Sequence, residues 1–206
     1  MVHWDTTTTG VPQELLQQVK EEMLKGSPRA AAVVGCAIVE EHLTHVLKSR
    51  MVKDAKVADE MFAPGRTFGD FGAKVDLGYL LGLYSKPAYK ELTTIKRIRN
   101  AFAHQLKLNS FDRDDIRDLC QNLTLSQSKI VNLTVFAPTP GDDEHRTMLT
   151  LGDWNKEAEN DIPLCGFAFE TCPPSARERF TTACVFYISA FFILTNQNHP
   201  IKVPLL

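Results

Sequence analysis

The sequence predicts a mainly α-helical protein, a bundle of about six helices carrying one small hairpin-like insertion. Three observations lead there. Apolar residues recur at three- and four-residue steps through most of the chain, the period of a helix with one buried face. Helix punctuation falls between those runs: Ser27-Pro28 and Ser85-Lys86-Pro87 as starts, Gly26 and Gly82 as stops. Strand-like alternation is confined to residues 124–172, where KIVNLTVF and RTMLTLGDW flank the loop PTPGDDEH. The chain has 206 residues, 44% of them hydrophobic and 23% charged, which fits one domain around one core spanning residues 1–206.

The elements follow in order. Residues 1–10 are polar and Thr-rich, a lead that frays. Pro12 suits the first turn of a helix with Leu15, Leu16, Val19 and Met23 as its inner stripe. The second helix starts at Ser27-Pro28 and runs to about Val52. Its first half, Ala30 to Ala37, has small side chains on all sides and predicts a central position with close neighbours. Its second half turns Ile38, Val39, Leu43, Val46 and Leu47 inward and Glu40, Glu41, His42 and His45 toward water, with Glu41 and His45 spaced to pair. A short segment, 55–62, leads to RTFGDFGAK. The spacing of Gly65, Gly69 and Gly72 fits neither phosphate-binding glycine pattern, so Asp70 is expected to cap a helix holding Val75, Leu77, Leu80 and Leu81. After the helix that begins at Lys86, Phe111, Ile116, Leu119 and Leu123 mark another, with Asp112, Asp114, Asp115 and Asp118 outward. Pro173-Pro174 opens a last helix to about Asn196. Its apolar run is short for a membrane span, so a buried core or dimer helix is expected, and no membrane partner.

The stretch that organises the chain is ELTTIKRIRNAFAHQ, residues 91–105. Leu92, Ile95, Ile98 and Phe102 form its buried stripe. Arg99, Asn100 and His104 lie off that stripe. Asn100 and His104 are one turn apart on a shared face, and Arg99 is about 140° round the helix from His104. A cation, an amide and an imidazole at the edge of an apolar stripe are a set that can hold a phosphate and move a proton. The same residues also have a plain structural use. Asn100 and His104 can close a helix end, and Arg99 can pair with Glu40, Glu41 or an acid of a partner chain. From Lys86 to Lys107 the basic residues are Lys86, Lys90, Lys96, Arg97, Arg99 and Lys107, against Glu91 alone.

Arg-Asn-Ala-Phe-Ala-His resembles the R-x4-6-H motif of the HEPN superfamily. The longer run 68–104, FGDFGAKVDLGYLLGLYSKPAYKELTTIKRIRNAFAH, resembles the mannitol-operon repressor (MltR) family, a HEPN-like group. RAAAVVGCAIVEEHLTHVLKSRM fits the helix that precedes it there. The resemblance spans residues 12–120 and, more loosely, the last helix. It implies a regulatory protein, repressing sugar-alcohol uptake genes, that acts as a helical homodimer through protein or nucleic-acid contacts. Lys74, Lys96, Arg97 and Lys107 are then candidate binding residues. The alternative it implies is a metal-independent endoribonuclease. There His104 would exchange the ribose 2′-hydroxyl proton, Arg99 would stabilise the phosphorane and Asn100 would orient either.

Charge and cysteines bound these readings. The net charge of −2 gives no global field for nucleic acid, and no DNA-reading helix stands out, so RNA is the more plausible nucleic-acid partner than an operator. The five cysteines, Cys36, Cys120, Cys165, Cys172 and Cys184, form no C-x-x-C pair, and Cys36 and Cys184 fall in apolar runs. With no signal-peptide pattern in MVHWDTTTTG, a reduced, cytoplasmic protein is expected. No cofactor and no metal site are implied. Asp142, Asp143, Glu144 and His145 read as a solvated loop. Whether the protein is an enzyme stays open.

Overall fold

The computed structural model describes residues 3–4, 13–124, 167–168 and 175–196. Among them are seven helices: α1 (Gln13–Lys25), α2 (Pro28–Ser49), α3 (Ala55–Phe62), α4 (Phe71–Leu80), α5 (Lys86–His104), α6 (Asp114–Gln121) and α7 (Ala176–Asn196). The mainly α bundle is therefore as expected. The one helix beyond six is α3, capped by Asp54, whose carboxylate accepts from the Val57 N–H at 3.1 Å. Two short strands, β1 (His3–Trp4) and β2 (Phe167–Ala168), pair antiparallel, His3 opposite Ala168 and Trp4 opposite Phe167. The two strands expected within residues 124–172, and the loop between them, lie outside the described residues, as do Cys165 and Cys172.

The central element is α2, packed against α1, α4, α5 and α7. Ser27 starts it, its hydroxyl accepting from the Ala30 N–H at 3.1 Å, and Pro28 occupies the first turn. By length and composition α2 is apolar enough to cross a membrane. In this structure it runs through the middle of the bundle instead. Its small residues permit close approach. A Cβ on Gly35 would collide with the Met23 side chain and come within 3.3 Å of Cys184 Sγ. Cys36 and Cys184 are buried, as their sequence setting predicts. On the far side α7 buries every residue from Phe180 to Phe191. It is a core helix of this chain.

Helix α5 buries Leu92, Ile95, Ile98 and Phe102 completely, each contributing roughly 1.5–3 kcal/mol relative to exposure. An aromatic run joins its end to α7 through the α6 approach. Phe102 stacks on Phe111 at 4.7 Å between centroids, and Phe111 on Phe180 at 5.4 Å. Two details differ from expectation. Leu15 is 37% exposed, because α1 lies on the rim and only Leu16, Val19 and Met23 face the bundle. Leu80 and Leu81 are exposed, at 80% and 44%, because α4 ends there and Gly82, with φ of 69°, turns the chain away into α5.

Candidate functional site

The functional side chains gather where α2, α4 and α5 meet. Asp70 starts α4 by accepting from the Gly72 N–H at 2.8 Å. One turn on, Lys74 shares the inward side with Phe71, Val75 and Gly78, so its stem is drawn into the bundle. Its ammonium donates to Glu40 Oε1 of α2 at 2.7 Å, and the two side chains are 8% and 20% exposed. The second oxygen of Glu40 lies 3.8 Å from Arg99 Nη2. The other arm of that guanidinium donates to Asn100 Oδ1 at 2.9 Å. Cys36, one turn before Glu40, sits against Arg99. Burial pushes its thiol up to about 12, with Arg99 pulling the other way. One carboxylate thus serves two cations from two other helices.

The sequence-predicted residues divide into two groups. Lys74 and Arg99 are brought together on Glu40, and Asn100 joins them through its bond from Arg99. Lys96 is half-buried close by, its ammonium lying where a Cβ on Gly72 would be. The others stay in water. His104 is the last residue of α5 and is exposed, and it makes no hydrogen bond or ion pair among the described residues. Arg99 is turned toward Glu40 and Asn100 rather than round to His104. Arg97 and Lys107 are exposed as well. The Glu41–His45 pair does not form. Both are exposed, while His42 is half-buried beside Phe192, its imidazole held below its usual value by burial and by His45.

Of the acids the sequence offered to Arg99, the structure selects Glu40; what sequence reading missed is that the same carboxylate also takes Lys74, and the role of Arg29. The link to Lys74 had one legible signal: Glu40 flanks the buried face of α2, and Lys74 is the only cation of α4 and lies on its buried side. Arg29, in the first turn of α2, reaches across to the end of α5. Its guanidinium donates to the carbonyls of Phe102 and Ala103, and to those of Gln105, Leu106 and Leu108 at 3.0, 3.1 and 3.4 Å. The first two are last-turn carbonyls that the end of α5 leaves without helical partners, and the other three belong to the turn that follows. Arg29 therefore sets where α5 stops and where His104 emerges. No group of three or more His, Cys, Asp or Glu side chains among the described residues is placed to hold a metal ion.

No family model matches the chain, and no curated protein matches it. The X-ray structure of the MtlR–HPr complex from Escherichia coli contains a chain of similar fold. The TM-score is 0.55 and the identity 14%, over 87% of this chain and 99% of that one. At that identity the likeness is one of architecture.

Proposed function

We propose that this chain is an MltR-like regulatory protein that works in the cytoplasm, as a dimer, by binding another protein. The observation that carries the reading is the fold. A chain from a complex of MtlR with HPr, a protein partner, shares this architecture over 99% of its length. The site geometry agrees with a role other than phosphoryl chemistry. Arg99 donates one arm to Asn100 and faces Glu40 with the other at 3.8 Å, so the motif cation helps to join α2, α4 and α5. Transcriptional regulation is the finer part of this reading and rests on the resemblance of residues 68–104 to the repressor family. The test is sedimentation velocity of the purified protein with HPr as the probe. A faster-sedimenting boundary that saturates at a fixed ratio is the expected result. No shift at 100-fold excess of HPr over protein would remove HPr as the partner type.

One observation favours a second reading. His104 is exposed and unpaired, and Arg99 keeps 30% of its side chain in water five residues away. A metal-independent ribonuclease would use these two, with Asn100 placing the guanidinium. It predicts RNA cleavage in EDTA that leaves 2′,3′-cyclic phosphates and vanishes in His104→Ala. Intact RNA after incubation with wild type would end it.

A further inference from the structure

Helix α5 has a second organised face. Taking about 100° per residue, Lys86, Lys90, Arg97 and His104 fall within a single arc of roughly 40°, opposite Leu92, Ile95 and Phe102. All four are exposed, and Lys107 follows just past the helix end, also exposed. The row is about 27 Å long at 1.5 Å per residue, and Lys90, Arg97 and His104 repeat at seven-residue steps. The only acid of α5, Glu91, is buried at 3% exposure and cannot neutralise it. None of the five side chains forms an ion pair among the described residues. Lys86 is held in place by the rings of Tyr79 and Tyr89, 4.6 and 4.4 Å from its ammonium. Exposed leucines flank the helix in sequence: Leu80 and Leu81 before Lys86, and Leu106 between His104 and Lys107 at 89% exposure.

We infer that this face of α5 is the docking surface for an acidic amphipathic helix of a partner protein. The inference rests on the reading that the chain acts by binding another protein. Charge complementarity selects an acidic occupant, and seven-residue steps are the spacing at which two helices laid side by side exchange ion pairs. The leucines at either end supply the apolar anchors that protein interfaces depend on and that a phosphate backbone does not need. The row is one side chain wide. Asp76 is exposed at one end and Asp112, Asp114, Asp115 and Asp118 at the other. A nucleic acid, with charge along its whole width, would meet those carboxylates, whereas carboxylates set along one helix face need not. A second copy of the chain would bring like charges together on this face.

The test uses the full-length protein and a 21-residue designed peptide with Glu at seven-residue steps and Leu at both ends, followed by fluorescence anisotropy. A scrambled peptide of the same composition and a single-stranded RNA of equal charge are the competitors. The expected result is binding of the ordered peptide at least tenfold tighter than either. A tenfold or larger loss is expected in the Lys90→Glu/Arg97→Glu double variant, with unchanged circular dichroism. Equal affinity for ordered and scrambled peptides overturns the inference, as does tighter binding of the RNA. Dissociation of a wild-type oligomer by the double variant would also overturn it, since a second copy would then cover this face. The two readings fail separately. HPr binding that survives the double variant, with no peptide binding, removes this surface and leaves the proposed function. Ordered-peptide binding without HPr binding leaves the surface and removes HPr.

Discussion

Replacing Glu40 is the sharpest test of how the site is built. In the folded protein one carboxylate is shared by the Lys74 ammonium at 2.7 Å and the Arg99 guanidinium at 3.8 Å. Glu40→Gln keeps the size and removes the charge. Lys74, 8% exposed, then stays buried with an amide oxygen as its nearest acceptor and a guanidinium nearby. Breaking a buried pair from one side costs ~3–5 kcal/mol. Glu40 is 20% exposed, so the lower end applies, about 3 kcal/mol. Lys74→Met is a different perturbation. Glu40 keeps Arg99, and an apolar side chain of similar length follows the path of the lysine stem, so the cost is about 1 kcal/mol or less.

The asymmetry is what urea unfolding reads. With m of about 2 kcal/mol/M, the Glu40→Gln midpoint falls about 1 M below that of Lys74→Met. The double variant, lacking the stranded ammonium, recovers part of the loss and unfolds at higher urea than Glu40→Gln alone. Equal midpoints for the two single variants, or a lower one for Lys74→Met, would refute the idea that one carboxylate holds both cations.

Three further outcomes follow from other parts of the bundle. Gly35→Ala forces a methyl against Met23, itself fully buried, and Cys184, so it destabilises by ~1–3 kcal/mol, measured as a lower thermal midpoint. Arg29→Ala frees the carbonyls at the end of α5; hydrogen exchange speeds up over residues 102–108, by a factor corresponding to ~1.5–3 kcal/mol, while α7 keeps its protection. Burial pushes the Cys36 and Cys120 thiols up to about 12 in the fold. Their contribution to stability is therefore complete below the unfolded thiol value of ~8.5 and is lost as pH rises from there toward the folded value. The urea midpoint should drop between pH 8 and pH 10.5, and iodoacetamide should spare Cys36, Cys120 and Cys184 in the native protein.

Much of the fold was legible because one periodic signal and a few caps carry it. The stripe Leu92, Ile95, Ile98, Phe102 is wholly buried, Ser27 and Asp70 cap where their chemistry predicts, and Gly82 takes the positive φ of a helix stop. What the sequence could not show was depth along a face. Leu15 and Leu80 obey the helical period as well as Leu16 and Leu77 do, yet they face water, because α1 lies on a rim and α4 ends at Leu80. The site was half legible for a related reason. Periodicity places Arg99 and Asn100 beside the buried stripe, and the wetter side of α2 offers Glu40 or Glu41 as an acid for Arg99. Only tertiary contact selects Glu40 and shows that it also takes Lys74, and only tertiary contact places Arg29 at the end of α5.

That division gives the six-residue motif a physical interpretation. Arg99 and Asn100 lie toward α2, where the bundle supplies a carboxylate. His104 lies at the end of α5, on the arc of Lys90 and Arg97, where the bundle supplies nothing. Glu40 supplies the counter-charge that the buried Lys74 needs, and Arg99 shares it. In the exposed row only Lys86 and Lys90 stand four apart; the seven-residue steps of Lys90, Arg97 and His104 are about 10.5 Å, beyond the screening length of ~8 Å, so the row costs the fold little. The row is the face on which the proposed acidic partner would supply the missing negative charge. The His104→Ala variant separates the two halves: it should leave the urea midpoint within about 0.5 kcal/mol of wild type, as for a surface position, while weakening whatever binds the row. A large loss of stability would instead place His104 with the bundle, among the groups that hold the end of α5.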